Sequence, residues 1–166
     1  MIKKFSKVYI SMGANLGDPV ASHRQALAYL RQEARLQHVK ASRLYRTSPI
    51  SSIAQPDYIN SVCEFETDLQ PHELFALTQA IEKRLGKKAK AKEAPRPFDI
   101  DILFYADLAM QSDTLEIPHP RWHERLFVLY PLCDLAPTVG VYNLQKRLIE
   151  LTCTSSDRID LLEETW

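Results

Sequence analysis

The sequence lacks the features that mark fibrous, membrane-spanning and strongly charged proteins. Only 4 of its 166 residues are glycine, which excludes collagen-like and glycine-rich low-complexity chains. No apolar run approaches the roughly 18 residues of a membrane-spanning helix, and the apolar stretch after the basic N-terminus is too short for a signal peptide. The 21 basic residues are balanced by 21 acidic ones, so the basic excess of a nucleic-acid binder is missing. We therefore expect a cytoplasmic protein that binds neither membranes nor nucleic acids.

Cysteine is also scarce. Cys63, Cys133 and Cys153 are odd in number and show no CxxC spacing. This pattern favours reduced thiols in a cytoplasmic protein over a disulfide framework. A zinc site formed by Cys133 with His119 and His123 stays formally open, although the spacing fits no usual ligand pattern.

The residues that are present predict one α+β domain over residues 1–166. A chain of this length with 45% hydrophobic residues can form one substantial core. Alternation predicts strands over residues 8–12, 38–46, 58–67 and 97–105. Helices are expected from Pro19, capped by Asp18, and from Pro71, with shorter ones over residues 121–125, 131–135 and 144–151 and a surface helix in the charged tail after residue 152. The order β-α-β-β-α-β predicts a mainly antiparallel sheet packed against helices.

The most informative segment is RPFDIDILF, residues 96–104. In a strand, Asp99 and Asp101 share one face with Cα atoms about 6.5–7 Å apart, and the apolar residues Phe98, Ile100, Ile102 and Phe104 share the other. Like charges on one strand face repel each other. Mg²⁺ is held by one or two carboxylates together with substrate phosphates, so a metal would remove this repulsion. A solvent-facing edge strand is the alternative interpretation.

Cationic residues flank the aspartates. Those before them are Lys87, Lys88, Lys90, Lys92 and Arg96, and those after them are Arg121 and Arg125. Carboxylates for a metal together with several cations are what polyphosphate binding requires, although a lysine run by itself also fits a solvated loop. The segment GANLG, residues 13–17, lacks the ending of a Walker P-loop.

Tyr58 and Asn60 form a second candidate site. On a strand they share a face, where they offer a ring for stacking and an amide that donates and accepts hydrogen bonds. That combination suits a planar heteroaromatic ligand, and a buried tyrosine beside a capping asparagine is the alternative. His119 lies between two prolines in a stiff segment, and such a histidine taken alone is more often structural than catalytic.

Five segments in order together resemble one known family. They are GANLG at residues 13–17, YRTSPI at 45–50, QPDYIN at 55–60, RPFDIDIL at 96–103 and IPHPRWHERLFV at 117–128. They resemble the 6-hydroxymethyl-7,8-dihydropterin pyrophosphokinases of folate biosynthesis. The resemblance implies a monomeric ferredoxin-like α+β sandwich with helices on both faces of the sheet. It also implies transfer of diphosphate from ATP to the pterin hydroxymethyl oxygen, with release of AMP.

The resemblance implies a role for each matching residue. Asp99 and Asp101 would hold two Mg²⁺ ions that bridge the ATP phosphates, and Arg96 and Arg125 would complete the catalytic set. The pterin would be bound by Thr47, Ser48, Ile50, Tyr58, Asn60 and Phe127. ATP would be contacted by Gln79, Glu82, Ile102, His119 and Arg125.

The chain departs from the family in one loop. The family usually has RWGPR before the aspartates, where residues 92–96 read KEAPR, so Glu93 and Ala94 replace Trp and Gly. We expect slower catalysis or looser ATP binding as a result. Two alternatives stay open, namely a non-catalytic relative that binds pterin or a partner protein, and an unrelated ferredoxin-like module that binds RNA.

Overall fold

An antiparallel sheet organises the chain, of which the computed structural model describes residues 5–50, 54–87, 97–163 and 166. The strands of this sheet are β1 (Ser6–Ala14), β2 (Leu36–Ala41), β3 (Leu44–Thr47), β4 (Tyr58–Thr67), β5 (Asp99–Tyr105) and, at the C-terminal end, β10 (Ile159–Glu163). Two small hairpins pair β6 (Met110–Gln111) with β7 (Glu116–Ile117) and β8 (Thr138–Val139) with β9 (Tyr142–Asn143). The helices are α1 (Pro19–Gln32), α2 (Pro71–Arg84), α3 (Leu126–Leu135) and α4 (Leu144–Thr152), with a 3₁₀ turn at Trp122–Glu124.

The strand order is that of a ferredoxin-like fold. Along the sheet the order is β10-β3-β4-β1-β5, and β2 pairs with the far half of β4. Each of these pairings is antiparallel. Since α1 follows β1 and α2 follows β4, each helix connects strands that are not neighbours, which produces the interleaved order. The expected α+β class and mainly antiparallel sheet are confirmed.

Helices cover both faces of the sheet. α1 and α2 pack on one face, where their buried residues Ala26, Leu30 and Leu74 join β1 and β4 residues such as Ile10 and Phe65. α3 and α4 pack on the other face, over a second cluster whose members include Tyr9, Val62, Leu103, Leu129 and Leu144. Among the described residues, no helix combines the length and apolarity needed to cross a membrane.

The two long helices begin where the sequence predicts. Asp18 caps α1, because its side chain accepts a hydrogen bond from the Ala21 backbone N–H at 3.0 Å and Pro19 occupies the first turn. α2 begins at Pro71, and the Glu73 carboxylate accepts from the Gln70 backbone N–H at 2.7 Å. This contact is one half of a capping box and satisfies the Gln70 backbone donor.

Two predicted elements have different bounds. The strand expected over residues 38–46 is divided into β2 and β3, because Ser42 leaves the strand and its hydroxyl accepts from the Val62 backbone N–H at 2.9 Å. The helix expected from residue 131 begins five residues earlier, at Leu126. The apolar residues before Pro131 are buried against the sheet, and this packing extends the helix beyond what local pattern indicates.

One bulge in β5 changes a predicted face. Tyr9 pairs with Phe104 but Ile10 pairs with Ile102, so Leu103 is the extra residue. Leu103 and Phe104 both pack in the cluster beneath α3 and α4. The prediction that Phe104 shares a face with Ile102 is therefore wrong, because a bulge interrupts the alternation of side chains.

The tail after residue 152 ends in a strand and not in the predicted surface helix. β10 pairs antiparallel with β3, from Ile159 opposite Thr47 to Glu163 opposite Leu44. An edge strand presents a row of backbone donors and acceptors that another segment can satisfy. The local charge pattern of the tail carries no information about that edge, so the helix prediction is wrong.

A buried histidine joins α1 to the sheet. His23 is fully buried, with Nδ1 2.7 Å from the Pro19 carbonyl oxygen and Nε2 3.3 Å from the Met12 carbonyl oxygen. Its ring also packs against Phe98 and Trp166. Burial lowers the pKa of His23 to about 4, although the two carbonyl contacts oppose the shift. The ring is therefore neutral in the folded protein at pH 7.

We predict that His23 makes the fold sensitive to mild acid. As the pH falls below the ordinary value of 6.5, the unfolded chain takes up a proton before the folded one, so stability is lost between about pH 6.5 and 4. The loss amounts to at most about 3 kcal/mol. In urea unfolding between pH 7 and 4, His23→Phe should lose less stability than wild type by about this amount, whereas His72→Gln, at an exposed position, should follow wild type. Equal losses for His23→Phe and wild type would contradict the prediction.

Candidate active site

A cavity of about 380 Å³ opens on the face of the sheet that carries α3. Three neighbouring strands line it, and each strand is polar at the cavity and apolar further along the same face. The lining residues are Ser11 and Gly13 on β1, Tyr58 and Asn60 on β4, and Asp99 and Asp101 on β5. The core residues that follow on that face are Tyr9, Val62 and Leu103. Because Gly13 pairs with both Asn60 and Asp99, the polar ends of the three strands meet in one place.

Gly13 stands between the two ends of the cavity. It pairs with Asn60 on β4 and with Asp99 on β5, so the three residues form one row across the sheet. Adjacent strands lie about 4.8 Å apart, which separates the backbones of Asn60 and Asp99 by about 10 Å. A Cβ atom on Gly13 would lie 2.9 Å from Asn60 Oδ1. The missing side chain therefore keeps the middle of the cavity open.

One end of the cavity combines aromatic rings with a buried amide. Tyr58, on β4, and Phe127, in the first turn of α3, both line the cavity. Asn60 is 5% exposed, and its Nδ2 donates to Thr47 Oγ1 at 2.8 Å. Tyr58 and Asn60 share a face, as the alternation predicts. A ring platform beside an oriented amide fits a planar heterocycle with polar edges.

Two residues to which the sequence analysis assigned no role hold this end in place. Asn15, buried just after β1, donates through Nδ2 to Gln55 Oε1 at 2.9 Å and to the Pro56 carbonyl oxygen at 3.1 Å. The Tyr58 hydroxyl donates to the same Gln55 oxygen at 3.1 Å. Asn15 lies in the GANLG segment and Gln55 in the QPDYIN segment. Their place in these motifs is the sequence signal that could have pointed to them. Neither periodicity nor charge shows that these two segments meet.

The other end of the cavity is acidic. Asp99 and Asp101 line it together, as expected from their spacing, and Asp99 pairs with the Lys87 ammonium, which also lies 2.8 Å from Glu82 Oε1. The buried Glu82 accepts from the Ile100 backbone N–H at 2.7 Å. Burial alone would lower the pKa of Lys87, but its hydrogen bonds to Asp99 and Glu82 raise that pKa overall. The lysine therefore stays charged between the two carboxylates.

Asp101 faces two other nitrogen-bearing side chains. Its Oδ2 lies 3.9 Å from His119 Nε2 and 3.8 Å from Arg125 Nη1. His119 Nδ1 accepts from the Arg121 backbone N–H at 3.0 Å, so the proton of the neutral ring is on Nε2. Burial lowers the pKa of His119, although Asp101 opposes the shift. The Arg125 guanidinium also lies 5.5 Å from the centre of the Phe127 ring, and so links the acidic end to the aromatic end.

Most of the site residues predicted from the sequence surround this cavity. They are Thr47, Ser48, Ile50, Tyr58, Asn60, Asp99, Asp101, His119, Arg125 and Phe127. Three residues expected to contact ATP lie outside its lining, because Gln79 is exposed on α2, Glu82 is bonded to β5 and Ile102 is buried in the core. Arg96, Glu93, Ala94 and the lysines at 88, 90 and 92 lie outside the described residues. The chemical roles of all these residues stay predictions.

The donor atoms suit a metal that is shared with a ligand. Within residues 5–50, 54–87, 97–163 and 166, no group of three or more His, Cys, Asp or Glu side chains could hold a metal ion. The zinc alternative with Cys133, His119 and His123 therefore has no support, and the three cysteines are free thiols. Two adjacent carboxylates without a third protein ligand fit Mg²⁺, which completes its shell with water and phosphate oxygens.

The fold and the cavity define a class of protein. The cavity has a place for a planar heterocycle at one end and for a metal-associated anionic group at the other, with cationic side chains around the latter. This arrangement is typical of enzymes that transfer a phosphoryl-type group between two small molecules.

Comparison with known proteins specifies the family. Residues 9–137 match the family model for 7,8-dihydro-6-hydroxymethylpterin-pyrophosphokinase (HPPK). The 2-amino-4-hydroxy-6-hydroxymethyldihydropteridine pyrophosphokinase of Bacillus subtilis is 40% identical over 131 residues, which are 79% of this chain and 78% of that protein. This chain belongs to the HPPK family.

Longer relatives contain a similar unit as one part. The mitochondrial folate synthesis bifunctional protein of Pisum sativum is 39% identical over 132 residues, which are 80% of this chain but 25% of that protein. The crystal structure of Plasmodium falciparum HPPK-DHPS with pteroate has a TM-score of 0.69 at 14% identity, and the match covers 89% of this chain and 42% of that one. The second comparison shows the shared fold, and this chain spans less than half of either relative.

We predict that the hydrogen bond between Asn60 and Thr47 stabilises the cavity wall. Thr47→Val keeps the shape of the side chain but leaves the buried Asn60 amide without this acceptor, which should lower the free energy of unfolding by about 1–3 kcal/mol. Thr47→Ser retains the hydroxyl and should cost clearly less. Urea unfolding at pH 7 measures both, and equal losses for the two variants would contradict the prediction.

Proposed function

We propose that this chain transfers the diphosphate of ATP to the hydroxymethyl oxygen of 6-hydroxymethyl-7,8-dihydropterin and releases AMP, which is a step of folate biosynthesis. The observation that carries the proposal is the row Asn60–Gly13–Asp99, which joins an aromatic, amide-bearing end and an acidic end in one cavity. Membership of the HPPK family supports the same reaction.

The pterin occupies the aromatic end in this proposal. Its ring lies between Tyr58 and Phe127, and the Asn60 amide bonds its polar edge with help from the backbone of Thr47, Ser48 and Ile50. The hydrogen bond from Asn60 to Thr47 supports this assignment, because it orients the amide before the ligand arrives. A preoriented group loses less conformational entropy on binding.

ATP occupies the acidic end. Asp99 and Asp101 would hold two Mg²⁺ ions, and ATP would be contacted by His119 and Arg125 in the cavity and by Gln79, Glu82 and Ile102 beyond its lining. When bound, Mg²⁺ neutralises charge on the phosphate oxygens. Lys87, which pairs with Asp99, would supply positive charge close to the phosphates. Arg121 and Arg125 line the cavity beside the aspartates and supply further positive charge.

Catalysis in this proposal rests on alignment and charge. A hydroxymethyl group is a weak nucleophile. His119, the imidazole that lines the described part of the cavity, has a pKa lowered by burial and is therefore a weaker base than an ordinary histidine. Holding the pterin oxygen in line with the β-phosphorus converts a bimolecular step into an effectively unimolecular one. Arg125, together with Arg96, stabilises the charge that develops on the phosphoryl oxygens.

The replaced loop residues are expected to slow this reaction. Glu93 and Ala94 stand where the family usually has Trp and Gly, so an aromatic residue that could cover the site is absent from the sequence. We propose weaker closure over the phosphates with activity retained, because Arg96, Asp99 and Asp101 are present. We also propose that the chain acts as a single domain, as a monomer and in the cytoplasm.

The first test is phosphorus NMR of the wild-type protein with Mg-ATP and 6-hydroxymethyl-7,8-dihydropterin. We expect AMP and a pterin diphosphate as products. ADP would contradict the diphosphate transfer, because it indicates transfer of a single phosphoryl group. Pterin binding without turnover would favour a non-catalytic relative with an altered loop.

An aspartate variant tests the acidic end. Asp101→Asn removes one charged oxygen of a carboxylate that is expected to hold metal, and should lower kcat/KM at least about 100-fold, since charge neutralisation contributes several kcal/mol to such reactions. Asp113→Asn changes an exposed aspartate outside the cavity and should leave kcat/KM within twofold. Similar activity of Asp101→Asn and Asp113→Asn in a coupled AMP assay would contradict the assignment of Asp101.

Gly13→Ala tests the central row. Its Cβ would stand 2.9 Å from Asn60 Oδ1 and displace the amide, so we expect the KM for pterin to rise at least about tenfold while the KM for ATP changes less than twofold. Adding Gly13→Ala to Asn60→Ala should have little further effect, because the clashing atom is gone. Additive losses in this double-mutant cycle would refute the mechanism.

A further inference from the structure

The C-terminal strand reaches the wall of the cavity. In the pairing of β10 with β3, Ile159 lies opposite Thr47, which lines the cavity beside Tyr58. β10 lies beyond residues 9–137, the part of the chain that the family model matches. The segment that lies behind this side of the wall is therefore outside the motifs from which the site was predicted.

Arg158, just before β10, contacts both ends of the connection between β3 and β4. The Ser48 backbone N–H donates to the Arg158 carbonyl oxygen at 3.2 Å, and the Arg158 backbone N–H donates to Ser48 Oγ at 3.4 Å. The Arg158 guanidinium forms an ion pair with Asp57, the residue before Tyr58. Arg158 thus joins the arm that leaves β3 at Ser48, the departing arm, to the arm that enters β4 after Asp57, the returning arm.

The connection needs such support because it carries much of the aromatic end. Ser48 and Ile50 on the departing arm and Gln55 on the returning arm all line the cavity. Pro49 and Pro56 have no backbone N–H, so each arm has fewer donors for backbone hydrogen bonds to the sheet. Contacts from outside the connection therefore help to set the position of these arms.

Two side chains hold the returning arm from opposite sides. Asn15 binds Gln55 and Pro56 from the centre of the sheet, and Arg158 binds Asp57 from the edge. Tyr58 follows directly, so its ring is placed by both contacts.

The strand that follows Arg158 has further anchors away from the connection. At the far end of β10, Arg24 Nη2 on α1 donates to both carboxylate oxygens of Glu163 at 3.0 Å. The Trp166 indole N–H donates to the Ser42 carbonyl oxygen at 2.6 Å, and its ring packs against His23. The strand is thus anchored to α1 and to the start of β3, and can act as a fixed support.

We propose that Arg158 is a positioning residue for the pterin end of the site. It holds the two arms of the β3–β4 connection at the separation that the ligand requires, through Ser48 and Asp57, and does not itself contact either substrate. This inference rests on the proposed function. Because Arg158 acts at the aromatic end, its loss weakens pterin binding and leaves ATP binding and the chemical step unchanged.

The test compares Arg158→Ala with a change at an ion pair that the inference does not use. Arg158→Ala removes the contact with Asp57, whereas Lys146→Ala removes an exposed contact with Glu150 on α4, outside the cavity lining. The ion pair of Arg158 is partly exposed, and pairs of that kind make modest contributions, so we expect the KM for pterin to rise about fivefold in Arg158→Ala. The KM for ATP and kcat should stay within twofold, and Lys146→Ala should keep wild-type values for all three. Arg158→Lys, which keeps the charge, should recover part of the loss.

Direct binding provides a second readout. Pterin fluorescence titrated in the presence of a non-hydrolysable ATP analogue should show the same weakening for Arg158→Ala, and Asp57→Ala combined with Arg158→Ala should be no weaker than either single variant. A lowered melting temperature with an unchanged pterin KM in Arg158→Ala would overturn the inference alone, since that result defines a purely structural contact. A wild-type protein that neither forms AMP nor binds pterin would overturn the proposed function and this inference with it.

Discussion

The cavity depends on the close approach of three strands at Gly13. Its neighbours in the row are Asn60 and Asp99, and a single added carbon would meet the Asn60 amide at 2.9 Å. A sheet face normally carries a side chain at every second residue on every strand. Those side chains leave no room for a ligand to lie close to the backbone on that face. The missing side chain at the centre therefore keeps the space between the amide and the carboxylates open.

The electrostatics of the cavity follow from the same row. Like charges on one strand face are unfavourable, yet Asp99 and Asp101 each face a cation from a different element, Lys87 after α2 and Arg125 before α3. Under the proposed function, Mg²⁺ and a polyphosphate would replace these ion pairs with new ones, which would be less costly than bringing unpaired charges into a site that is partly removed from water.

Local patterns predicted much of the fold and the site, and they failed where distant segments decide the outcome. The alternation in β4 and the cap at Asp18 act within a few residues, so both could be predicted. The bulge at Leu103 depends on the register with β1, and the tail became β10 because β3 offered an open edge. The link between Asn15 and Gln55 joins residues 40 positions apart, which no periodicity can show.

The sequence by itself determined the chemistry available to this protein. The spacing of Asp99 and Asp101 places both carboxylates on one face, the motifs carry the resemblance to the pyrophosphokinases, and the balance of charge argues against a nucleic-acid binder. The tertiary structure alone decided how these parts meet. It places Gly13 between the two ends of the cavity, pairs Lys87 with Asp99, and brings Arg158 to the β3–β4 connection that carries the aromatic end. The physical reason is that residue types and spacing specify what a segment can do, whereas strand pairing specifies which segments become neighbours.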